Sequence, residues 1–154
     1  MGKNETGRTE IMEIICGNDL DKALESAYRV YLCGDLKKPQ DLKWIHDENV
    51  EMGISYYKEF TADQPHYHLH ATEYNFILEG KSKFLLVDEK KEIELEKNSL
   101  FVLPPMTKYA SKHTAGTKIL FFKAPGGNDK TLVELNTYLE QWLASWQTPA
   151  DKEL

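Results

Sequence analysis

Three of the five histidines fall within five residues of one another, in the run Pro65-His66-Tyr67-His68-Leu69-His70. On a β-strand alternate residues share a face, so this spacing sends His66 and His68 out together as two imidazoles within reach of one metal ion. Glu73 follows five residues after His68. Odd spacing would put it on the wrong face of a single straight strand. A tight turn after His68 removes that objection, because Glu73 then opens the next strand and aims back inward. Two neutral imidazoles and one carboxylate suit Fe, Mn, Ni, Cu or Zn. The run is internal and interleaved with Tyr67 and Leu69, unlike an expression tag. An H-x-H pair by itself fits a polar surface loop as readily, so the weight falls on what surrounds it.

The surroundings read as short strands separated by turns. From Val50 to Phe60 the period is two, with Val50, Met52, Ile54, Tyr56 and Phe60 on one face. Ile11–Cys16 and Tyr28–Cys33 are further strand candidates, with a short helix between them capped by Asn18 or Asp19 and running to Ala27. Thr61–Pro65 reads as a loop, and Tyr74–Leu78 as a strand ended by Glu79-Gly80. Phe84–Val87 and Ile93–Leu95 flank Asp88–Lys91 as a hairpin; Leu100–Leu103 and Ile119–Lys123 complete the set. After residue 128 the period changes. Leu132, Leu135, Leu139, Trp142, Leu143 and Trp146 recur at helical spacing, with Asp129 as N-cap and Pro149 as stop. The expected organisation is a polar, disordered leader over 1–10, one β-barrel or sandwich over 11–128, and an amphipathic helix over 129–147. That helix packs on the barrel or at a dimer interface.

At 154 residues the chain fits one domain. Its 19 basic and 25 acidic residues leave a net charge of −6, which argues against nucleic acid or an anionic membrane as partner. No stretch approaches the roughly 18 apolar residues of a membrane span, and no apolar segment follows the charged start as in a signal peptide. Cys16 and Cys33 form no C-x-x-C pair. The default is a cytoplasmic address with both thiols reduced.

The spacing His66-x-His68-x4-Glu73-x6-Gly80 resembles the first motif of the cupin superfamily at every defined position except the leading glycine. The resemblance implies an all-β fold, the double-stranded β-helix or jelly-roll barrel, with His66, His68 and Glu73 as ligands to a divalent metal and Gly80 in the turn after the strand. The second cupin motif resembles the stretch from Asn98 to His113, anchored on Pro104, but is degraded. Asn98 and Met106 stand at glycine positions, Tyr109 replaces the histidine that would be a fourth ligand, and His113 falls where an asparagine is expected. Three outcomes are open: Tyr109 ligates as a phenolate, His113 or His70 supplies a third imidazole, or the metal keeps open positions for water or substrate. The last is favoured, with Tyr109 lining the site as a hydrogen-bonding, proton-relaying catalytic group. His113 itself, followed by Thr-Ala-Gly, reads as an exposed turn residue, and His46 as structural.

Period two also places Asn75 and Ile77 on the inward face with Glu73. If Lys58 or Lys83 pointed inward, an anionic substrate would be favoured. The resemblance implies a small-molecule substrate or ligand and a homodimer. The chemistry is either that of an oxygenase or that of a sugar or keto-acid isomerase, because this fold hosts both. The alternative is a binding or sensing cupin without turnover, even without metal.

Overall fold

A computed structural model describes residues 12–147; the leader expected over 1–10 lies outside them. Two sheets face each other. One runs in the order β2-β1-β3-β10-β5-β8, the other β11-β4-β9-β6-β7. The first is built from β1 (Arg29–Gly34), β2 (Ile45–His46), β3 (Glu51–Tyr57), β5 (Thr72–Glu79), β8 (Leu100–Leu103) and β10 (Thr117–Ala124). The second comprises β4 (Thr61–His68), β6 (Lys81–Leu86), β7 (Lys91–Glu96), β9 (Tyr109–His113) and β11 (Lys130–Leu132). Helix α1 (Gly17–Ser26) precedes β1, and α2 (Thr137–Ala144) follows β11. All pairings are antiparallel except β1 with β2. No helix among the described residues is long and apolar enough to cross a membrane.

The alternation in β3 is real, but its apolar face looks outward from the barrel. Ile54, with Val30 of β1, packs under Leu24 of α1, and Tyr56 joins that cluster. The other face, Glu51, Gly53, Ser55 and Tyr57, is buried and turns inward, where the first, third and fourth of these line a cavity. An apolar face covered by a helix and a polar face covered by the opposite sheet give the same period-two signal, so sequence alone does not separate them. The apolar part of the interior is formed by Tyr57, Ile77 and Ile119, and by Phe84, Leu103 and Tyr109.

Four expected elements change. Ile11–Cys16 forms no strand within the described residues; Met12 and Ile14 stay exposed with no sheet to join, and Cys16 caps α1. The loop expected over Thr61–Pro65 is strand β4, paired with β9. His113 is not an exposed turn residue: it ends β9 and is buried. The helix expected over 129–147 is confined to Thr137–Ala144. Residues 130–132 instead pair with β4, and the Asn136 side chain accepts the Leu139 N–H at 2.8 Å as the actual cap. Leu139 and Trp142 of α2 are buried against Leu85 and Ala110 on the outer face of the second sheet, each worth about 1.5–3 kcal/mol of burial. Lys112 beneath them donates to the Trp142 and Ser145 carbonyls at the helix C-terminus, a favourable place for a cation.

Gly80 turns the chain from β5 into β6 at φ 81°. A Cβ there would lie 2.7 Å from the Cα of Thr117 and against its Oγ1, so only glycine suits both the backbone and the space.

Candidate metal centre

His66 and His68 occupy the last turn of the pleat in β4, both buried. The strand carries a bulge just before them. Asp63 pairs with Ser111 and His66 with Tyr109, so Gln64 and Pro65 together oppose the single residue Ala110. A bulge restores inward facing across an odd interval; Asp63 and His66, three apart, therefore both line the cavity. Proline is tolerated there because it needs no ladder partner for a missing N–H.

Each imidazole is held by its Nδ1. That of His66 lies 2.8 Å from the Gln64 carbonyl oxygen, and that of His68 lies 2.8 Å from Oδ1 of Asp129. A carbonyl or a carboxylate can only accept, so Nδ1 carries the proton in both rings and each Nε2 presents a lone pair. Burial, ahead of the neighbouring charges, pushes His66 down to about 4, which keeps that ring neutral at pH 7. The rings are nearly perpendicular, with centroids 5.1 Å apart.

Glu73 enters from the opposite sheet at the start of β5. The turn that makes this possible is fastened by Asp129, whose Oδ2 accepts the backbone N–H groups of His70 and Ala71 at 2.9 and 2.8 Å. Glu73 Oε1 comes to 3.8 Å from His68 Nε2, and one ligand atom from each of His66, His68 and Glu73 lies within 4.8 Å of the others. Among the described residues no other His, Cys, Asp or Glu completes such a group.

Tyr109 stands directly across from His66 in the β4–β9 register, with ring centroids 4.5 Å apart. Its hydroxyl donates a short hydrogen bond to Glu73 Oε2. Burial and the Glu73 charge push the phenol well above its ordinary range, so it is a proton donor in this arrangement. The glycine positions of the degraded motif keep glycine-like backbone: Asn98 has φ 71° and Met106 φ 65°. The Met106 N–H donates to the His68 carbonyl at 2.7 Å and so ties that loop to the site.

His70 is exposed and outside the group. His113 has both ring nitrogens engaged elsewhere, Nδ1 with Ser82 Oγ at 2.8 Å and Nε2 with Asp63 Oδ2 at 3.1 Å. His46 is half-buried on β2 beside Asp35 and Glu48. Asn75 turns inward with Glu73, as period two predicts, and its Nδ2 is buried without a hydrogen-bond partner. Lys58 reaches the Glu25 carbonyl outside the barrel, and Lys83 lies under Trp146, so neither enters the cavity.

The cavity measures about 800 Å³ and opens beyond the three ligand candidates. Its walls add Arg29, Tyr57, Asp63, Ser111, Lys123 and Lys130, none of them among the expected ligands. Asp63 Oδ2 accepts Tyr57 Oη at 2.8 Å and Ser111 Oγ at 3.3 Å as well as His113. Burial opposes its charge, but the bond from His113 and the charges of His113 and Arg29 hold its carboxyl well below the carboxylate range. The signals for these residues were non-local. Asp63 needs the bulge, Arg29 needs the β1–β3 pairing, and Asp129 needs the return of β11 to β4.

These residues fit a divalent ion. His68 Nε2 is buried, aimed at Glu73 and lacks any hydrogen-bond partner, which leaves a lone pair without a donor. Both rings have the Nδ1 support that orients imidazole ligands, and the donor set of two nitrogens and a carboxylate suits first-row transition metals.

No protein-family model matches the sequence, and no curated protein matches it. Solved structures do. A double-stranded β-helix protein from Klebsiella pneumoniae is similar with TM-score 0.55 and 12% identity over 82% of this chain and 99% of that one. Pac13 from Streptomyces, a nucleoside dehydratase, is similar with TM-score 0.51 and 15% identity over 59% of this chain and 73% of its own. KdgF from Halomonas sp. follows with TM-score 0.50 and 16% identity over 56% and 77%. At such identities the likeness speaks for the fold, and it agrees with the two facing sheets, the His66-to-Gly80 motif and the Gly80 turn. By its fold this chain is a small double-stranded β-helix, and within that fold the His66-to-Gly80 spacing resembles the first cupin motif, with Tyr109 at the histidine position of the second.

Proposed function

We propose that this cupin holds a divalent metal through His66, His68 and Glu73 and acts there on a small organic molecule. The observation that carries this reading is the pair of imidazoles locked with Nδ1 protonated, so that both Nε2 lone pairs face the cavity beside a carboxylate. The ion would supply Lewis-acid chemistry or, as iron, oxygen chemistry. The chain's residues would do the rest. Asp129 and the Gln64 carbonyl hold the imidazoles in register. Tyr109 holds Glu73 by its hydroxyl and would pass a proton to a substrate in the cavity. Phe84 packs against Tyr109 at that end of the cavity, with ring centroids 5.8 Å apart.

Two reaction classes fit the donor set: oxygenation, and isomerisation of a sugar or keto acid. That Pac13 is an enzyme on this fold supports catalysis without transferring its reaction. The competing reading is a ligand-binding cupin without turnover, favoured by Tyr109 in place of the fourth histidine. The test is a substrate screen on protein reconstituted separately with Fe(II), Mn, Ni, Cu and Zn. Oxygen uptake is followed with diols and keto acids, and isomerisation by NMR with sugars and keto acids. Turnover that disappears in the H66A/H68A double variant supports the proposal. Metal binding without turnover in either assay would leave the binding reading in its place.

A further inference from the structure

The charged groups in the cavity wall can be paired off almost completely. Lys123 Nζ donates to the Gly127 carbonyl at 2.6 Å and lies 3.3 Å from Glu51 and 3.8 Å from Asp129. Asp63 is taken up by Tyr57, Ser111 and His113, and Glu73 Oε2 accepts the Tyr109 hydroxyl. Lys37 pairs with Asp35, and three lining cations remain without a carboxylate: Arg29, Lys130 and the exposed Lys38.

Arg29 opens β1, and its guanidinium is fixed from several sides. Nε donates to Ser55 Oγ at 3.1 Å, and the guanidinium carbon lies 5.4 Å from the Tyr28 ring centroid and 5.5 Å from that of Phe121. Among the described residues no carboxylate comes within ion-pair distance of it, and the Ser55 bond is its one hydrogen bond. The terminal nitrogens are therefore held in place with their N–H groups uncommitted at the cavity wall. Burial works against the charge, but the nearby Tyr57 and Asp63 keep the group protonated.

Lys130 begins β11 opposite His68 and stands exposed at the cavity mouth. Arg29 and Lys130 line the same cavity and so share one electrostatic neighbourhood. Two unpaired like charges in a concave site raise the local concentration of anions.

We propose that the substrate is a small carboxylate, gripped in bidentate fashion by the Arg29 guanidinium and closed over by Lys130, with the remainder of the molecule extending toward the His66–His68–Glu73 end of the same cavity. This names the substrate class for the site proposed above and rests on that reading for the reacting end, but the anion grip itself needs no metal. The planar fork of Arg29 matches the two oxygens of a carboxylate. Asp63, Glu51 and Glu73 in the same walls disfavour a phosphate dianion.

The test measures binding by ligand-observed NMR for a panel of two- to eight-carbon monocarboxylates, hydroxy acids and oxo acids. Each acid is paired with its neutral amide and with a phosphate monoester of similar size. The proteins are the wild type, R29Q, R29K, K130Q and H66A/H68A. At least one acid should bind the wild type and be preferred to its amide. Its affinity should fall tenfold or more in R29Q, by a smaller factor in R29K, which keeps charge but not the fork, and about threefold in K130Q. In H66A/H68A carboxylate preference should persist, so a failure of the metal reading would leave this one standing. Circular dichroism and an unchanged thermal-unfolding midpoint establish that R29Q is folded. Absence of any carboxylate binding, equal binding of acid and amide, preference for the phosphate ester, or unchanged affinity in folded R29Q would each overturn the proposal.

Discussion

Replacing Asp129 with asparagine keeps the shape of the side chain and removes its charge. The carboxylate accepts three N–H groups: His68 Nδ1 and Ala71 N at 2.8 Å, and His70 N at 2.9 Å. An asparagine has one acceptor oxygen for these donors and adds an NH2 that faces N–H groups, so at least one bond is lost and a donor is left opposed. Burial raises the Asp129 carboxyl, but the His70 and Ala71 N–H bonds and then His68 outweigh it and hold the pKa at about 2, against 3.8 ordinarily. At full strength that difference is roughly 2 kcal/mol. The Asp129 side chain is not fully enclosed, at 14% exposure, and solvent screens part of its charge, so about 1 kcal/mol is the working figure for the metal-free protein. A depressed folded pKa contributes stability that is present in full above 3.8 and lost as pH falls through about 2. The D129N deficit in denaturant unfolding should therefore be near 1 kcal/mol at pH 7 and shrink below pH 3.8. Metal affinity should fall about 10- to 100-fold, because His68 loses the partner that fixes its tautomer. Competition against a chromophoric chelator at pH 7 measures this, and nitrogen-15 NMR reads the His68 tautomer directly. A folded D129N protein with unchanged metal affinity and an unchanged His68 tautomer would refute the orienting role.

Gly80→Ala should destabilise by about 3 kcal/mol, from the positive φ and from contact with Thr117, as read by thermal unfolding. Tyr109→Phe should cost about 1 kcal/mol of stability and keep the metal, yet lower turnover at least tenfold; full turnover would remove Tyr109 from the chemistry. Asp63→Asn should destabilise by about 2 kcal/mol at pH 7, since it strips a carboxylate from His113, Tyr57 and Ser111. Because the folded Asp63 carboxyl is depressed, that gap should be widest above pH 3.8 and narrow below it; a gap that grows with acid would contradict the assignment.

The part of the site that sequence makes legible is the part carried by short-range spacing. Two histidines at an interval of two share a face of β4, and Glu73 belongs to the next strand once the turn at His70 and Ala71 is granted. Gly80 follows from its turn. Tyr109 was reachable through the second motif, whose backbone survives with Asn98 and Met106 in left-handed conformations although both glycines are gone. What stays hidden depends on long-range pairing. Asp129 sits ahead of an apolar periodic run and so reads as a helix cap, but the chain there stays extended against β4 and the carboxylate turns to His68. The bulge at Gln64 and Pro65 shifts parity within β4 and brings Asp63 inward. The outward apolar face of β3 is decided by α1, which covers it, and that leaves Ser55 inside to hold Arg29.

A metal held by His66, His68 and Glu73 is the claim on which the proposed function stands. The most direct test is elemental analysis of the full-length protein purified without chelator or histidine tag, alongside the H66A/H68A double variant. The account predicts about one first-row transition-metal ion per chain in the wild type and only traces in a double variant that keeps its circular dichroism spectrum. A wild type that carries only traces, and takes up none when incubated with Fe(II), Mn, Ni, Cu or Zn, would contradict it.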